Sequence, residues 1–209
     1  SPRQKMINLM YVVLMAMLAM NISNEVLDGF SVVEESINRT TENSSKQNEA
    51  IYTDFAEQMK ANPNKVKEWF ERATAVKQMS DSLFNLAQEL KLEIAREADG
   101  DDADLNNIER KDDLEAANQV MLAPGTGRGK ELRDAIDSFR QRILNMVSDP
   151  AKRKIIEGSL TTTIKGKSNP YNKNWEEYMF EGMPVAAAVT MLSKLQSDVR
   201  YAEGEVLHT

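Results

Sequence analysis

No charged residue occurs between Lys5 and Glu25. The run Met6 to Asn24 is 19 residues long, in a chain of which 28% is charged. As a helix it would reach about 28 Å at about 1.5 Å per residue, close to the hydrocarbon thickness of a bilayer. It is apolar on every face, which suits a membrane span or, as the competing reading, a buried core helix of a soluble protein. Arg3 and Lys5 precede it, and Glu25 and Asp28 follow. By the positive-inside rule the N-terminus is cytoplasmic and the remainder lies outside. No A-x-A-like cleavage site closes the run, which continues through Val26, Leu27, Phe30, Val33 and Ile37 at helical spacing. It therefore reads as a retained anchor, not a signal peptide. The expected organisation is a cytoplasmic edge at 1–5, a single transmembrane helix at 6–24 and one extracytoplasmic domain at 25–209.

The expected fold class of that domain is all-α, an elongated four-helix bundle. Ile51, Phe55 and Met59 extend the first helical pattern to a break at Pro63. Val66, Trp69, Phe70, Ala73, Val76, Met79, Leu83, Leu86, Leu90 and Ile94 then keep a helical period, predicting a long helix over 64–98. A short helix is expected at 112–122, ended by Ala-Pro-Gly at 123–125. Leu132, Ile136, Phe139, Ile143 and Met146 mark another helix at 130–147. Asp149-Pro150 is an N-cap and N1 pair for a short helix after it. Residues 161–175 read as a basic loop, and Pro184 opens a last helix. Trp69, Phe70, Leu83, Leu90, Phe139 and Ile143 are expected to share one core.

The residue inventory removes several chemistries. There is no Cys, and the single His is His208. Disulfides, thiolate metal sites, Cys nucleophiles and His-rich zinc sites are excluded, and a Ser/His/Asp triad would have only His208 to use, next to the end of the chain. A net charge of −7 argues against a general nucleic-acid binder. The Gly-rich stretch Pro124–Lys130 lacks the first Gly and the final Ser or Thr of a phosphate loop. The start Asp102-x-Asp104-x-Asn106 has Asn107 where a calcium loop turns on Gly, and Asp113 where it ends on Glu. Residues 99–115 hold eight acidic and two basic residues, a solvated loop or a docking face for a basic partner. Three glycosylation sequons, at Asn21, Asn38 and Asn43, matter only in a eukaryotic secretory pathway. No constellation supports an enzyme, and no cofactor or metal is expected.

The N-terminus carries the functional signal. Arg3 and Lys5 sit at the membrane edge, with Asn8 and Tyr11 inside the apolar run. Chemistry alone allows an ordinary reading, in which Arg and Lys snorkel and set topology while Tyr favours the interface. Met10, Leu14 and Met17 lie further along the run. It has no GxxxG, so close self-association by that route is not encoded. Its methionines suit several packing environments, or serve as lipid-facing filler.

The opening Ser1-Pro-Arg-Gln-Lys-Met-Ile-Asn-Leu-Met-Tyr11, with Ala16-Met-Leu-Ala-Met-Asn-Ile-Ser23 and Glu25-Val-Leu-Asp-Gly-Phe30, resembles the start of the GldM/PorM proteins of Bacteroidetes. So does a distant block, Asn174-Trp-Glu-Glu-Tyr-Met-Phe-Glu-Gly-Met-Pro184 with Leu192-Ser-Lys-Leu-Gln-Ser-Asp-Val-Arg200. The resemblance implies an inner-membrane motor subunit for gliding motility and type IX protein secretion, driven by the proton-motive force. It implies a homodimer whose membrane helices sit in a pentameric ring of a GldL/PorL-like protein. Further β-rich periplasmic domains would then follow Thr209 and reach the outer-membrane apparatus. Carried onto this chain, the family's membrane-edge arginine is Arg3, the coupling residue. Contacts to the ring would come from Lys5, Asn8, Met10, Tyr11, Leu14 and Met17. A second class stays open, a membrane-anchored periplasmic sensor or adaptor, although a sensor must signal inward and almost no cytoplasmic part is present here.

Overall fold

The computed structural model describes residues 2–20 and 22–208, without the side chains of 12–20 and Ser168. All regular structure among the described residues is helical: α1 Pro2–Met20, α2 Asn24–Ala61, α3 Pro63–Asp99, α4 Ala116–Leu122, α5 Gly129–Leu144, α6 Pro150–Ser159, α7 Trp175–Phe180 and α8 Val185–Leu207, with a 3-10 turn at Gly166–Ser168.

The transmembrane expectation finds no support among the described residues. No helix among the described residues is long and apolar enough to cross a membrane. α1 opens on Pro2, Arg3, Gln4 and Lys5, and its uncharged part stops at Met20. That part would rise only about 22 Å at 1.5 Å per residue, short of a core of about 30 Å. Ser23 is extended, and its Oγ accepts the Val26 N–H at 3.2 Å, so a new helix is capped where the run was expected to continue.

α2 and α3 form a long antiparallel hairpin. Asn62 precedes a proline, which pushes it out of the α region and ends α2, while Pro63 suits the first position of α3. Gly100 ends α3 with φ +92, a conformation favouring glycine. α8 lies in the groove of the hairpin. Glu34 meets Ser193 and Asn48 meets Glu203, so α8 runs parallel to α2. Lys91 meets Gln196 and Ser80 meets Glu203, so it runs antiparallel to α3. α8 is buried on nearly every face, as a helix at the centre of a bundle must be.

The shorter helices α4 to α7 cover the other side. Leu132, Ile136, Phe139 and Ile143 of α5 close the core over Leu83, Leu90 and Ile94 of α3 and Val189 and Leu192 of α8. Three long helices set the length of the bundle, since α5 has only 16 residues. The first free N–H groups of α8 find carbonyls in the acidic segment: Val185 donates to Asp113 at 3.1 Å and Ala186 to Lys111 at 3.2 Å. Lys111 also reaches Asp28 at 4.0 Å, which puts this segment at the end of the bundle where α1 joins.

The expected core holds for Leu83, Leu90, Phe139 and Ile143. Phe70 is only partly covered, and Trp69 is 46% exposed. Ser80 already stands level with Glu203, near the end of α8. Trp69 lies three turns further along α3, where α8 offers only its last residue, Leu207, beside Phe55 and Val66. The Arg72 guanidinium sits 5.9 Å from its ring. The short helix expected at 112–122 begins only at Ala116, because the Asp113 carboxylate accepts the N–H groups of Glu115 and Ala116 at 2.8 and 3.2 Å.

Candidate functional site: a buried polar spine and an exposed N-terminal helix

Along α8, Ser193, Gln196, Arg200 and Glu203 recur at spacings of three and four, and so line one helical face. That face points into the α2–α3 seam, where an apolar stripe would be ordinary. It carries two polar layers.

In the upper layer Lys91, 4% exposed, donates to Gln196 Oε1 at 3.1 Å and lies 3.5 Å from Glu34 Oε1. The Ser193 hydroxyl donates to the same Glu34 oxygen at 2.6 Å. Gln196 in turn donates to the Phe84 carbonyl at 3.2 Å and to Gln88 at 3.0 Å. Burial pulls the Lys91 ammonium below its ordinary value, against the opposing pull of Glu34.

The second layer centres on Glu203, 2% exposed. Its Oε1 accepts from Ser80 at 2.8 Å, Arg200 at 3.1 Å and Asn48 at 3.3 Å, and its Oε2 from Tyr52 at 2.5 Å. Arg200 also donates to Asp81 at 2.8 Å and lies 4.1 Å over the Phe84 ring. Burial, then the Glu203 carboxylate, raise the Tyr52 phenol far above its usual range. Burial alone would raise Asp81, but the bonds from Arg200 and Lys77 outweigh it and hold this carboxyl below its ordinary value. Each layer ties all three long helices together. A one-residue slip of α8 would strand buried charges, so the layers fix its register.

A third cluster lies outside the seam. Arg128 donates to Glu89 at 2.9 Å, to Glu93 at 3.0 Å and to both oxygens of Glu131, pinning the start of α5 to α3. The Gly-rich stretch before it serves close packing: a Cβ on Gly129 would stand 2.6 Å from the Glu176 Cβ and 2.7 Å from the Met121 carbonyl. The carboxylates of the acidic segment are likewise used by backbone. Asp99 accepts from Glu109 and Arg110 at 2.8 and 2.9 Å, and Asp104 from Asn106 at 2.9 Å. Among the described residues no group of three His, Asp or Glu is placed to hold a metal ion.

Sequence reasoning missed the spine. The period-3.6 pattern of α8 was legible, but nothing in it marks Arg200 and Glu203 as buried. The available signal was the density of Ala, Val and Leu around them, which leaves α8 little polar surface to show to water.

The residues expected from the sequence to act lie elsewhere. Arg3, Lys5, Asn8, Met10 and Tyr11 are exposed on α1, as are Met6, Ile7 and Leu9. Gln4 donates to Asn8 at 3.1 Å. The side chains of Leu14 and Met17 lie outside the described residues. None of the described ones is brought onto the bundle; Met6, Ile7, Leu9, Met10 and Tyr11 are exposed.

Comparison with protein families matches the GldM N-terminal domain over residues 25–209, the whole bundle from the first turn of α2. No curated protein matches the chain. The match covers most of the chain, and the chain belongs to the GldM family, which serves gliding motility and type IX secretion as part of a membrane complex.

Proposed function

We propose that this chain is a motor subunit of the bacterial inner membrane, which turns the proton-motive force into torque carried by the α2–α3–α8 bundle. The observation that carries the reading is the contrast between the two parts. α1 holds Met6, Ile7, Leu9, Met10 and Tyr11 exposed, and it leads directly into a bundle whose register is locked by buried charge. In a bilayer an unpaired backbone is costly, which favours extending the α1 helix through residues 21–24, so that the full uncharged run spans. The N-terminus is then cytoplasmic and the bundle periplasmic.

The partners are a second copy of the chain and a GldL/PorL-like ring protein, a pentamer around the dimer, with Lys5, Asn8, Met10, Tyr11, Leu14 and Met17 facing the ring. Domains beyond the bundle would pass the motion to the outer-membrane apparatus. The chain acts without enzymatic chemistry of its own. Arg3 stays charged at any physiological pH, so it cannot carry the proton. It pairs instead with a ring carboxylate that does. A carboxylate beside Arg3 is held ionised, while one desolvated and unpaired is pushed towards its protonated form. Protonation breaks one pair and rotation makes the next. Each charge crossing is worth about 2.3 kcal/mol per 100 mV.

The test is Arg3→Ala in the native host. Secretion and gliding are expected to stop while protein level and co-purification of the ring protein persist. Normal secretion at normal protein level would defeat the coupling role, with Lys5 the next candidate. A sensor or adaptor is not favoured by any contact described above.

A further inference from the structure

The face of α2 that meets α8 changes character along the helix. Its seam positions, spaced by three and four, are Ser31, Glu34, Asn38, Thr41, Ser45 and Asn48, all of them polar. Glu34 and Asn48 bond to α8, which marks this as the inward face. The α2 residues set against the continuous core begin only at Ile51, with Tyr52 and Phe55. Leu27 is buried near the start of α2, but outside that core. Beside the polar half, a recess of about 460 Å³ lies between α2, the segment at 105–111 and the start of α8. Ser31 and Asn38 line it, together with Leu105, Ile108, Ala186 and Val189.

What ties this half down is polar as well. Glu34 accepts from the Ser193 hydroxyl at 2.6 Å and lies 3.5 Å from the Lys91 ammonium. Its second oxygen is buried with no donor, a cost of docking that water would remove on opening. Opening also returns water to Lys91, whose charged form is opposed by burial. Asp28 and Lys111, 4.0 Å apart with Asp28 largely exposed, add little. Polar side chains that part regain their hydrogen bonds from water, whereas parted apolar ones gain nothing. Residues 38–45 join the two halves and hold Asn38, Thr40, Thr41, Asn43, Ser44 and Ser45, all poor helix formers. The Thr40 and Thr41 hydroxyls donate to the Ser36 and Ile37 carbonyls at 3.2 and 2.9 Å, a back-bond that favours bending. Past this joint, Asn48 and Tyr52 hold the second half to Glu203.

We infer that the first half of α2, residues 24–39, is an arm that swings off α8 about residues 40–45, with Glu34 as its latch. Latched, the arm and the bundle move as one body. Released, the same helix becomes a joint between what precedes α2 and the core. The second half of α2 stays in place, held by apolar packing and the Glu203 layer. The device uses residues of the bundle alone, so it stands whether or not the motor reading does.

The test measures distances within the purified full chain, which has no Cys of its own. Spin labels go on Glu35→Cys with Glu97→Cys, arm to α3, and on Glu49→Cys with Glu97→Cys, second half of α2 to α3; all three positions are exposed. Labelled chain is diluted with unlabelled chain, so that only distances within one copy are read. Pulsed electron spin resonance is expected to give the first pair a main distance and a minor longer one, and the second pair a single distance. Ser193→Ala removes a donor from the latch and should enlarge the longer population at least threefold. Glu34→Gln, which keeps the shape and drops the charge, should act in the same direction. Ser31→Leu, which sets an apolar side chain in the recess with Ala186 and Val189, should reverse the effect of Ser193→Ala. A first-pair distribution unmoved by both latch variants would overturn the proposal. So would an equal longer population at the second pair, in which case α2 moves as a whole, or a Ser193→Ala effect that Ser31→Leu leaves in place.

Discussion

The Tyr52 hydroxyl donates a 2.5 Å hydrogen bond to Glu203, joining the middle of α2 to the end of α8 through a carboxylate almost wholly shut off from water. Because Ser80, Arg200 and Asn48 occupy the other Glu203 oxygen, the carboxylate has donors on both sides. Tyr52→Phe removes one of them and is expected to destabilise the bundle by about 1–3 kcal/mol, the cost of leaving a buried acceptor short. Glu203→Ala leaves Arg200 with Asp81 and the Ser80 hydroxyl as its polar partners and should cost about 3–5 kcal/mol. Denaturant unfolding of the two variants checks the order. Equal losses would mean that Glu203 is held by packing and not by its donors.

Lys91 offers the complementary experiment. Its removal leaves Glu34, one of whose oxygens is already buried without a partner. Lys91→Met should therefore destabilise by about 3–5 kcal/mol. Lys91→Met with Glu34→Leu should recover most of that loss, since a buried ion pair replaced by apolar groups is often neutral. A double variant no better than the single one would show that the pair is not the unit of stability.

Leu90 is fully buried at the junction of α3, α5 and α8. Leu90→Ala is expected to cost about 2–5 kcal/mol in chemical unfolding. By contrast Trp69→Ala should cost much less than the roughly 3–5 kcal/mol of a buried Trp, because that ring is 46% exposed at the very end of α8. A larger loss at Trp69 than at Leu90 would contradict the placement of α8.

The close approach at Gly129 predicts its own result. Gly129→Ala pushes a methyl against the Met121 carbonyl and the Glu176 stem, neither of which can swing aside. A loss of about 1–3 kcal/mol is expected. Gly158→Ala, with open space around the position, should not destabilise.

The charge layers also set a pH dependence. The Asp81 carboxyl is held below its ordinary 3.8 by Arg200 and Lys77, so the unfolded chain binds its proton first as pH falls. Its contribution is present above that value and lost below it. Asp198 has the opposite sign, since burial raises its carboxyl and the folded state takes the proton first. Asp81→Asn should thus flatten the fall in thermal midpoint below about pH 5 relative to the unaltered chain. Asp198→Asn should steepen it. Identical slopes in all three would show that neither group is coupled to folding.

What the sequence made legible followed from chain-local rules. Pro63, Gly100, Asp149-Pro150 and Pro184 mark helix ends through fixed φ, missing N–H groups or positive φ, and the helices begin and end there. The stripe from Val76 to Ile94 marked the buried face of α3 for the same reason. Trp69 failed because periodicity gives a face but not the length of the neighbour that covers it. The polar spine failed because the partners of Glu203 come from positions 48, 52, 80 and 200, and no local pattern joins them. The span at 6–24 was read from a lack of charge, a pattern that does not show the cap by which Ser23 starts α2.

The central claim is that a stiff bundle passes on motion generated at α1. It is tested most directly by inserting eight Gly/Ser residues (a length chosen to be torsionally soft) between Asn24 and Glu25, where the uncharged run ends. Secretion of a type IX substrate is measured in the native host. The account predicts at least a tenfold loss of secretion, with unchanged protein level, membrane association and co-purification of the ring protein. Secretion at the unaltered rate would contradict it, because a tether tolerates a soft joint and a drive shaft does not.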